Sequence, residues 1–477
     1  MIRTKVVATI GPASDSQEML GKLIDAGANV FRLNFSHGKR EGHAAALQRI
    51  RDAAAERQAV VAVLGDLGGP KIRLGSIAGG QCTLTAGSRV VFQREPILGT
   101  PARLSTGYPA FVDDVAVGDR ILIDDGNVLL RAIEKRPDEV VATCEVGGVI
   151  SNQKGINLPD SHVSSPSLTE KDRSDLEWIV RNGLEYVALS FVRSPKDLSD
   201  LREAIAKIDP ASPIQVVSKI EKPQAVHHMQ AVVEASDVVL VARGDLGVEM
   251  DVARVPIIQK ELAVECRRAG KPIIIATQML QSMVNSPVPT RAEVSDVANA
   301  ILDDADAVML SAETSVGQYP VKAVETMRRI AGETEAFTSR FGHPFSSTPA
   351  RETPVAKAVI HGASVVVRDL KPKLVAAWTE NGEAARLLSR HRLDVPIVAL
   401  ASCATVCRQM ALLYGVQPIC LPDMDGPNAM FVHLDRVLVS RGLAKPGDQI
   451  VVVSDARPEV PGETDTLLVH TVGEARC

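Results

Sequence analysis

Short runs of β-branched and other aliphatic residues recur along the first two thirds of the chain. Each closes on a polar or glycine-bearing cluster and is followed by a stretch with helical spacing. The runs are KVVATIG, ANVFRLNFS, AVVAVLGDL, YVALSFV, IQVVSKIE, DVVLVARGD, PIIIATQ and AVMLSAET. Strands covered on both faces read as near-continuous apolar runs, and amphipathic helices serve as their crossovers. Eight such units predict an α/β fold built on a (β/α)8 TIM barrel. Residues 14–26 and 319–331 carry the helical spacing, the latter with Val324, Met327 and Ala331 on one face, and these faces read as core.

The alternation breaks between about residues 67 and 166. Short strands appear there with the turn signals AGG, TAGS, VGD, DDGN and RPDE, which predicts a small β-barrel or sandwich inserted after the third barrel strand. Beyond FGHPFSSTPARETP, read as an exposed connection, PKLVAAW, PIVALA, QPICLP, QIVVVSD and TLLVHTV alternate with amphipathic stretches and predict a further α/β domain. The expected division is a barrel of residues 1–67 and 166–340, a lid domain of 68–165, and a C-terminal α/β domain of 341–477.

Length and composition sharpen this picture. At 477 residues the chain is too long for one core. Aromatic residues are only 3%, so aliphatic packing dominates and a base-stacking nucleic-acid platform is not expected. The 58 acidic residues outnumber 53 Lys and Arg with no basic block, so anionic substrates must be attracted locally. The seven cysteines (82, 144, 266, 403, 407, 420 and 477) lack metal-site spacing and read as reduced thiols of a cytoplasmic protein. Apolar runs are too short for a bilayer, so no membrane association is expected.

Catalytic groups of barrel enzymes come from the C-terminal ends of several strands, and here those ends are polar. They carry Arg32, Asn34, Ser36 and His37 on the second, and Asp66, then Lys71 and Arg73, on the third. Lys219 and Glu221 follow on the fifth, Arg243 and Asp245 on the sixth, Thr277 on the seventh, and Ser311 and Glu313 on the eighth. Glu221 and Asp245, on adjacent strands with no histidine or thiol nearby, suit Mg²⁺ or Mn²⁺ completed by water and substrate oxygens. The bland alternative pairs each with its sequence neighbour, Lys222 or Arg243. Lys219 could stabilise a phosphoryl group, form a Schiff base, or salt-bridge Glu221. Arg32, Arg73 and Lys154 add positive charge that favours phosphorylated substrates. No G-x-x-x-x-G-K-[ST] loop is present, so a nucleotide would lie between the barrel mouth and the insertion, which is placed to exclude water as a lid.

TKVVATIGPAS, FRLNFSHG, GDLGGPKIR, QKGINLP, SKIEKPQAV, VARGDLGVE, IIATQML and MLSAETSVGQYP closely resemble the motifs of the pyruvate kinase family, in the family's order. The resemblance implies transfer of the phosphoryl group of phosphoenolpyruvate to ADP, giving pyruvate and ATP, in a cytoplasmic homotetramer. It implies that Lys219 stabilises the transferring group, that Glu221 and Asp245 bind the divalent metal, and that Arg32, Gly244, Asp245 and Thr277 contact phosphoenolpyruvate. The nucleotide phosphates would meet Arg73 and Lys154, with Asn34, Phe35, Ser36 and His37 nearby. The enolate would be protonated through water near Thr277, with Glu313 a weaker candidate for that route.

Two departures from the family pattern matter. Lys71 stands where K⁺-dependent members have glutamate, and Leu67 and Gly68 replace a Thr-Lys pair, which predicts K⁺-independent activity although the family's monovalent-cation positions Asn34, Ser36 and Asp66 are kept. In the C-terminal domain the family's phosphate-binding effector loop, T-x-S-G-R, reads TENGEA at 379–384. This weakens the case for fructose 1,6-bisphosphate and leaves a sugar monophosphate or AMP as the effector class, at a site the sequence does not locate. A metal-dependent lyase or aldolase acting on 2-oxo acids is the enzymatic rival, and an inactive metabolite sensor the non-enzymatic one.

Overall fold

The computed structural model describes residues 2–341, 355–421, 426–454 and 464–474. Of the connection read at 341–354, Phe341 ends a helix and 342–354 lie outside the described residues, as does Cys477. All eight apolar runs are strands: β1 Lys5–Thr9, β2 Val30–Asn34, β3 Ala62–Asp66, β4 Tyr186–Leu189, β5 Gln215–Ile220, β6 Val238–Ala242, β7 Ile273–Ala276 and β8 Ala307–Leu310. They pair in parallel around a closed ring in which β8 returns to β1, with Lys5 opposite Ala307. Strand alternation divides the apolar residues into two cores. Val7, Val30, Leu64, Val217, Leu240 and Met309 fill the interior, while Val6, Phe31, Val63, Val216, Val239 and Val308 meet the surrounding helices. The first helix, Gln17–Ala26, starts at Ser16, whose hydroxyl accepts from Met19 N, and stops at Gly27 with φ +105°. The helix Pro320–Phe341 buries Val324, Met327 and Ala331, the face its spacing predicts.

Between β3 and β4 the chain forms eight short strands, six in one mostly antiparallel sheet and two in a ribbon of Gln81–Leu84 with Gly148–Ser151. Both contribute to one apolar cluster that includes Leu84, Phe92, Leu130 and Ile150. The outgoing and returning segments of this lid run side by side. Leu74 N donates to Lys154 O, Ile156 N donates to Ile72 O, and Arg73 bridges Gly155.

The C-terminal sheet has the order Val416–Cys420, Ile397–Ala401, Val375–Trp378, Gln449–Ser454, Thr466–Thr471, the last strand antiparallel. One face packs on the helices Val355–Leu370, Glu383–Arg390 and Ala404–Met410, and the other on Gly426–Ser440. The residues after helix Ala404–Met410 leave their own domain. Ala411 and Leu412 join the barrel-interior cluster, and Tyr186 Oη donates to Gln409 O at 2.5 Å. The C-terminal domain therefore stoppers the N-terminal end of the barrel.

Candidate active site

The inward parity that fills the barrel continues to the opposite end, where aliphatic residues give way to charged ones. Two residues past Val30 stands Arg32, two past Leu64 stands Asp66, two past Ala188 stands Ser190, and past Val217 come Lys219 and Glu221. Lys219 Nζ lies 2.8 Å from Glu221 Oε1 and 3.4 Å from Asp66 Oδ1, and donates to Ser190 Oγ at 2.8 Å. Arg32 forks onto Asp66 Oδ2, with Nη2 at 2.6 Å and Nε at 2.7 Å, and its Nη1 donates to Thr9 Oγ1. Phe191 N donates to Glu221 Oε2 at 2.8 Å.

These charges set one another's protonation. Burial pulls the Lys219 ammonium down, but the Asp66 and Glu221 carboxylates outweigh it and hold the group above its ordinary value. A lysine held so firmly protonated is a poor Schiff-base nucleophile. Burial likewise pushes Asp66 up, and Lys219 with Arg32 reverses this, leaving it below the usual carboxylate range. For Glu221 burial prevails: its pKa is raised, with Lys219 opposing and the nearby Asp245 adding like charge.

Lys222 pairs with Glu249 at 2.5 Å and Arg243 with Asp296 at 2.7 Å, so the sequence-neighbour pairings of Glu221 and Asp245 do not form. The side chain of Asp245, on the short helix Arg243–Glu249, makes no hydrogen bond or ion pair among the described residues. The Glu221 and Asp245 carboxylates lie near enough to repel each other, and they are the residues that could hold a divalent cation. Among the described residues no group of three or more His, Cys, Asp or Glu forms a metal cage. That donor set suits a hard cation which keeps water or substrate oxygens, rather than zinc.

Thr277, just past β7, has φ +69°, a left-handed conformation costly for a β-branched residue. Its Oγ1 accepts from Gly244 N at 2.7 Å and its carbonyl accepts from Arg243 Nη2 at 3.0 Å. A Cβ on Gly244 would come within 3.3 Å of that hydroxyl, so the two rim turns are tightly matched. Glu313 is buried and accepts from Leu280 N and Ser311 N. It braces the loops after β7 and β8, with both oxygens spent on backbone amides.

After β2, Asn34 Oδ1 accepts from Ser36 N, and Lys171 Nζ donates to Phe35 O at 2.7 Å. The Phe35 ring is buried beside His43 and Trp178, so its side chain is core and only its backbone borders the rim, while His37 is exposed. On the lid hinge, Arg73 Nη1 donates to Gln153 O and Lys154 pairs with Asp124 at 2.7 Å. Lys71 is exposed, its side chain lying against Gly155 on the returning segment. The structure adds Thr9, Ser190 and the Phe191 amide to the site. Thr9 and Ser190 follow from inward parity; the amide has no side-chain signal.

Among the described residues no helix is long and apolar enough to cross a membrane. The family model described as "Pyruvate kinase, barrel domain" matches residues 1–324, and "Pyruvate kinase, alpha/beta domain" matches 357–470. The chain is 41% identical to a pyruvate kinase of Geobacillus stearothermophilus over 99% of this chain and 81% of that one. It is 42% identical to a pyruvate kinase of Mycobacterium intracellulare over 99% of both. A crystal structure of a pyruvate kinase from Cryptosporidium parvum superimposes with a TM-score of 0.92 at 32% identity, covering 98% of this chain and 96% of the other. Fold and relatives agree, and the chain is an enzyme belonging to the pyruvate kinase family.

Proposed function

We propose that the rim transfers the phosphoryl group of phosphoenolpyruvate to ADP with Mg²⁺ (or Mn²⁺) held by Glu221 and Asp245, and without K⁺. The observation that carries this reading is the buried Lys219, kept cationic between Asp66 and Glu221 at the mouth of the barrel. When bound, the metal supplies charge neutralisation for phosphoryl and enolate oxygens. Lys219 offers a fixed positive charge to the oxygens of the group in flight, and needs no reorganisation because Ser190 and the two acids hold it in place. Arg32, braced by Asp66, binds phosphoenolpyruvate beside it. Thr277 aligns the Gly244 turn and keeps a hydroxyl near the position where the enolate carbon takes its proton through water. Arg73 and Lys154, side by side on the hinge, face the ADP phosphates, with the Asn34–His37 backbone across from them.

K⁺ independence draws support from the residues that depart from the family pattern. Leu67 is fully buried apolar core, and Lys71 brings an ammonium to the same loop. In the altered effector loop, Gly382 N donates to Thr379 Oγ1 and Glu383 N donates to Asn381 Oδ1. Two amides that a phosphate would use are thus already taken. Regulation through that loop by fructose 1,6-bisphosphate is not expected; a sugar monophosphate or AMP remains the effector class to test. Homotetrameric assembly is part of the same reading, and a mass measurement in solution tests it.

The decisive assay couples pyruvate formation to lactate dehydrogenase, with phosphoenolpyruvate and ADP, with and without Mg²⁺, in tetramethylammonium buffer before and after K⁺ is added. The expected result is turnover that needs the divalent ion and is indifferent to K⁺. A large stimulation by K⁺ refutes the monovalent part, and activity undiminished by chelation refutes the divalent part. Borohydride trapping of a pyruvate adduct on Lys219 would support the lyase alternative instead.

A further inference from the structure

Glu249 is absent from the chemistry described so far, yet it is almost completely buried at the end of the helix that carries Gly244 and Asp245. Its Oε1 accepts from two sides, from Lys222 Nζ on the barrel at 2.5 Å and from Asn157 Nδ2 on the lid at 2.6 Å. Its Oε2 is buried with no hydrogen-bond partner among the described residues. An unsatisfied buried carboxylate oxygen is costly, and a hydrophobic residue or a glutamine would avoid a buried charge. Asn157 belongs to the two-residue strand that brings the lid back to the barrel, three residues after Lys154. Lys222 also lies over the Phe191 ring at 5.5 Å, and the Phe191 amide is the donor that holds Glu221 Oε2.

A continuous set of contacts thus runs from the lid through Asn157, Glu249, Lys222 and Phe191 to Glu221. We propose that Glu249 is a positioning residue for phosphoryl transfer: a latch that ties the returning strand of the lid to the helix and carboxylate of the rim. The inference rests on the functional reading above. Through the lid half of the latch, Asn157 sets how long the hinge cations stay over the nucleotide. Through the barrel half, Lys222, it keeps the Gly244 turn and Glu221 aligned for phosphoenolpyruvate. The bond from Asn157 reaches a charged acceptor, which makes it stronger than a neutral pair.

The two halves separate by mutation. Asn157→Ala should raise the KM for ADP and lower kcat, their quotient falling about tenfold, the value of one hydrogen bond to a charged group. Its binding of phosphoenolpyruvate with Mg²⁺, read as the shift in thermal midpoint, should match the wild type. Asn157→Asp, which sets a second carboxylate against Glu249, should be worse than Asn157→Ala, although the change in size is small. Glu249→Ala should damage both readouts, and Asn157→Ala added to it should cost little more. Equal kinetics for wild type, Asn157→Ala and Asn157→Asp would overturn the latch. So would an Asn157→Ala penalty that is as large in the Glu249→Ala background as alone. If the wild-type protein made no pyruvate in the same assay, the functional reading would fall first, and the latch with it.

Discussion

At the C-terminal end of the barrel Lys219 and Arg32 share Asp66 inside the ring, whereas towards the N-terminal end Arg51 and Arg408 share Glu185 on its perimeter. Both arrangements bury a carboxylate between two cations. They differ in what the remaining charge faces. Around Glu185 every oxygen is spent, on Arg51, on Arg408 from the C-terminal domain and on Val63 N, so the cluster fastens one domain to another. Around Asp66 both oxygens are likewise taken, Oδ2 by Arg32 and Oδ1 by Lys219 and Ser190, but a further carboxylate, that of Asp245, stands nearby without an ion-pair partner among the described residues. The same chemistry serves cohesion where every charge is paired, and leaves a position for a ligand where one carboxylate is not.

The largest expected effect lies at the fastening end. Glu185→Gln strands two guanidinium groups and should cost about 3–5 kcal/mol, the price of breaking a buried ion pair by removing one partner. A urea titration reads it, and the folded fraction should keep near-normal kcat. If kcat collapses at unchanged stability, the contrast between the two ends fails. Lys219→Met probes the other side and should lose about 10² to 10³ in turnover, by analogy with removing one charge-stabilising donor. Its unfolding midpoint should fall as well, because Asp66 and Glu221 lose a buried partner, while Mg²⁺ binding, followed by titration with Mn²⁺ as reporter, should persist. Near-normal turnover would remove Lys219 from its proposed role.

A smaller effect concerns pH. Lys5 is buried at the fastening end, its Nζ donating to Val416 O at 2.6 Å, and burial first, then Arg328, brings its pKa down to about 8. A lysine whose folded pKa lies below its unfolded one destabilises the native state while both states are charged. Stability from this group therefore rises as pH climbs from about 8 towards 10.5, by about 3 kcal/mol at most. Lys5→Met should abolish that rise, so the difference between wild-type and variant midpoints should change across pH 8 to 10. A constant difference would show that Lys5 does not titrate there. Smallest is Ser190→Ala, which removes one hydrogen bond from the Lys219 ammonium and should lower kcat by about tenfold without touching stability at the Glu185 end.

Much of the barrel was legible because burial on both faces leaves a plain apolar signature, and strand parity carries it to the rim. Arg32, Asp66 and Lys219 stand where that parity puts them. What the sequence could not reveal was partnership. Lys222 lies next to Glu221 in the chain but bonds Glu249, because successive residues of an extended segment point to opposite sides. Arg243 bonds Asp296, because residues two apart on the helix it shares with Asp245 do not face each other. Lys154 reads as added positive charge, and its pairing with Asp124 is a contact made by the inserted domain's own tertiary structure. Phe35 sits in a polar motif yet packs inward beside Trp178, since a single aromatic gives no periodicity to read. The replacement of side chains in TENGEA was visible, but not that the loop's amides bond its own Thr379 and Asn381.

The stopper formed by Ala411 and Leu412 bears on how this gene can be cut. A fragment ending near residue 341 would retain every rim residue and the whole lid, and on a map of catalytic positions would look complete. It would nevertheless open the floor of the barrel, wetting Tyr186 and the aliphatic layer above it and leaving Glu185 and Lys5 without their C-terminal partners. Such a fragment should be recovered as inclusion bodies rather than as a deregulated enzyme. The third domain is thus as much the floor of the barrel as an appendage to it.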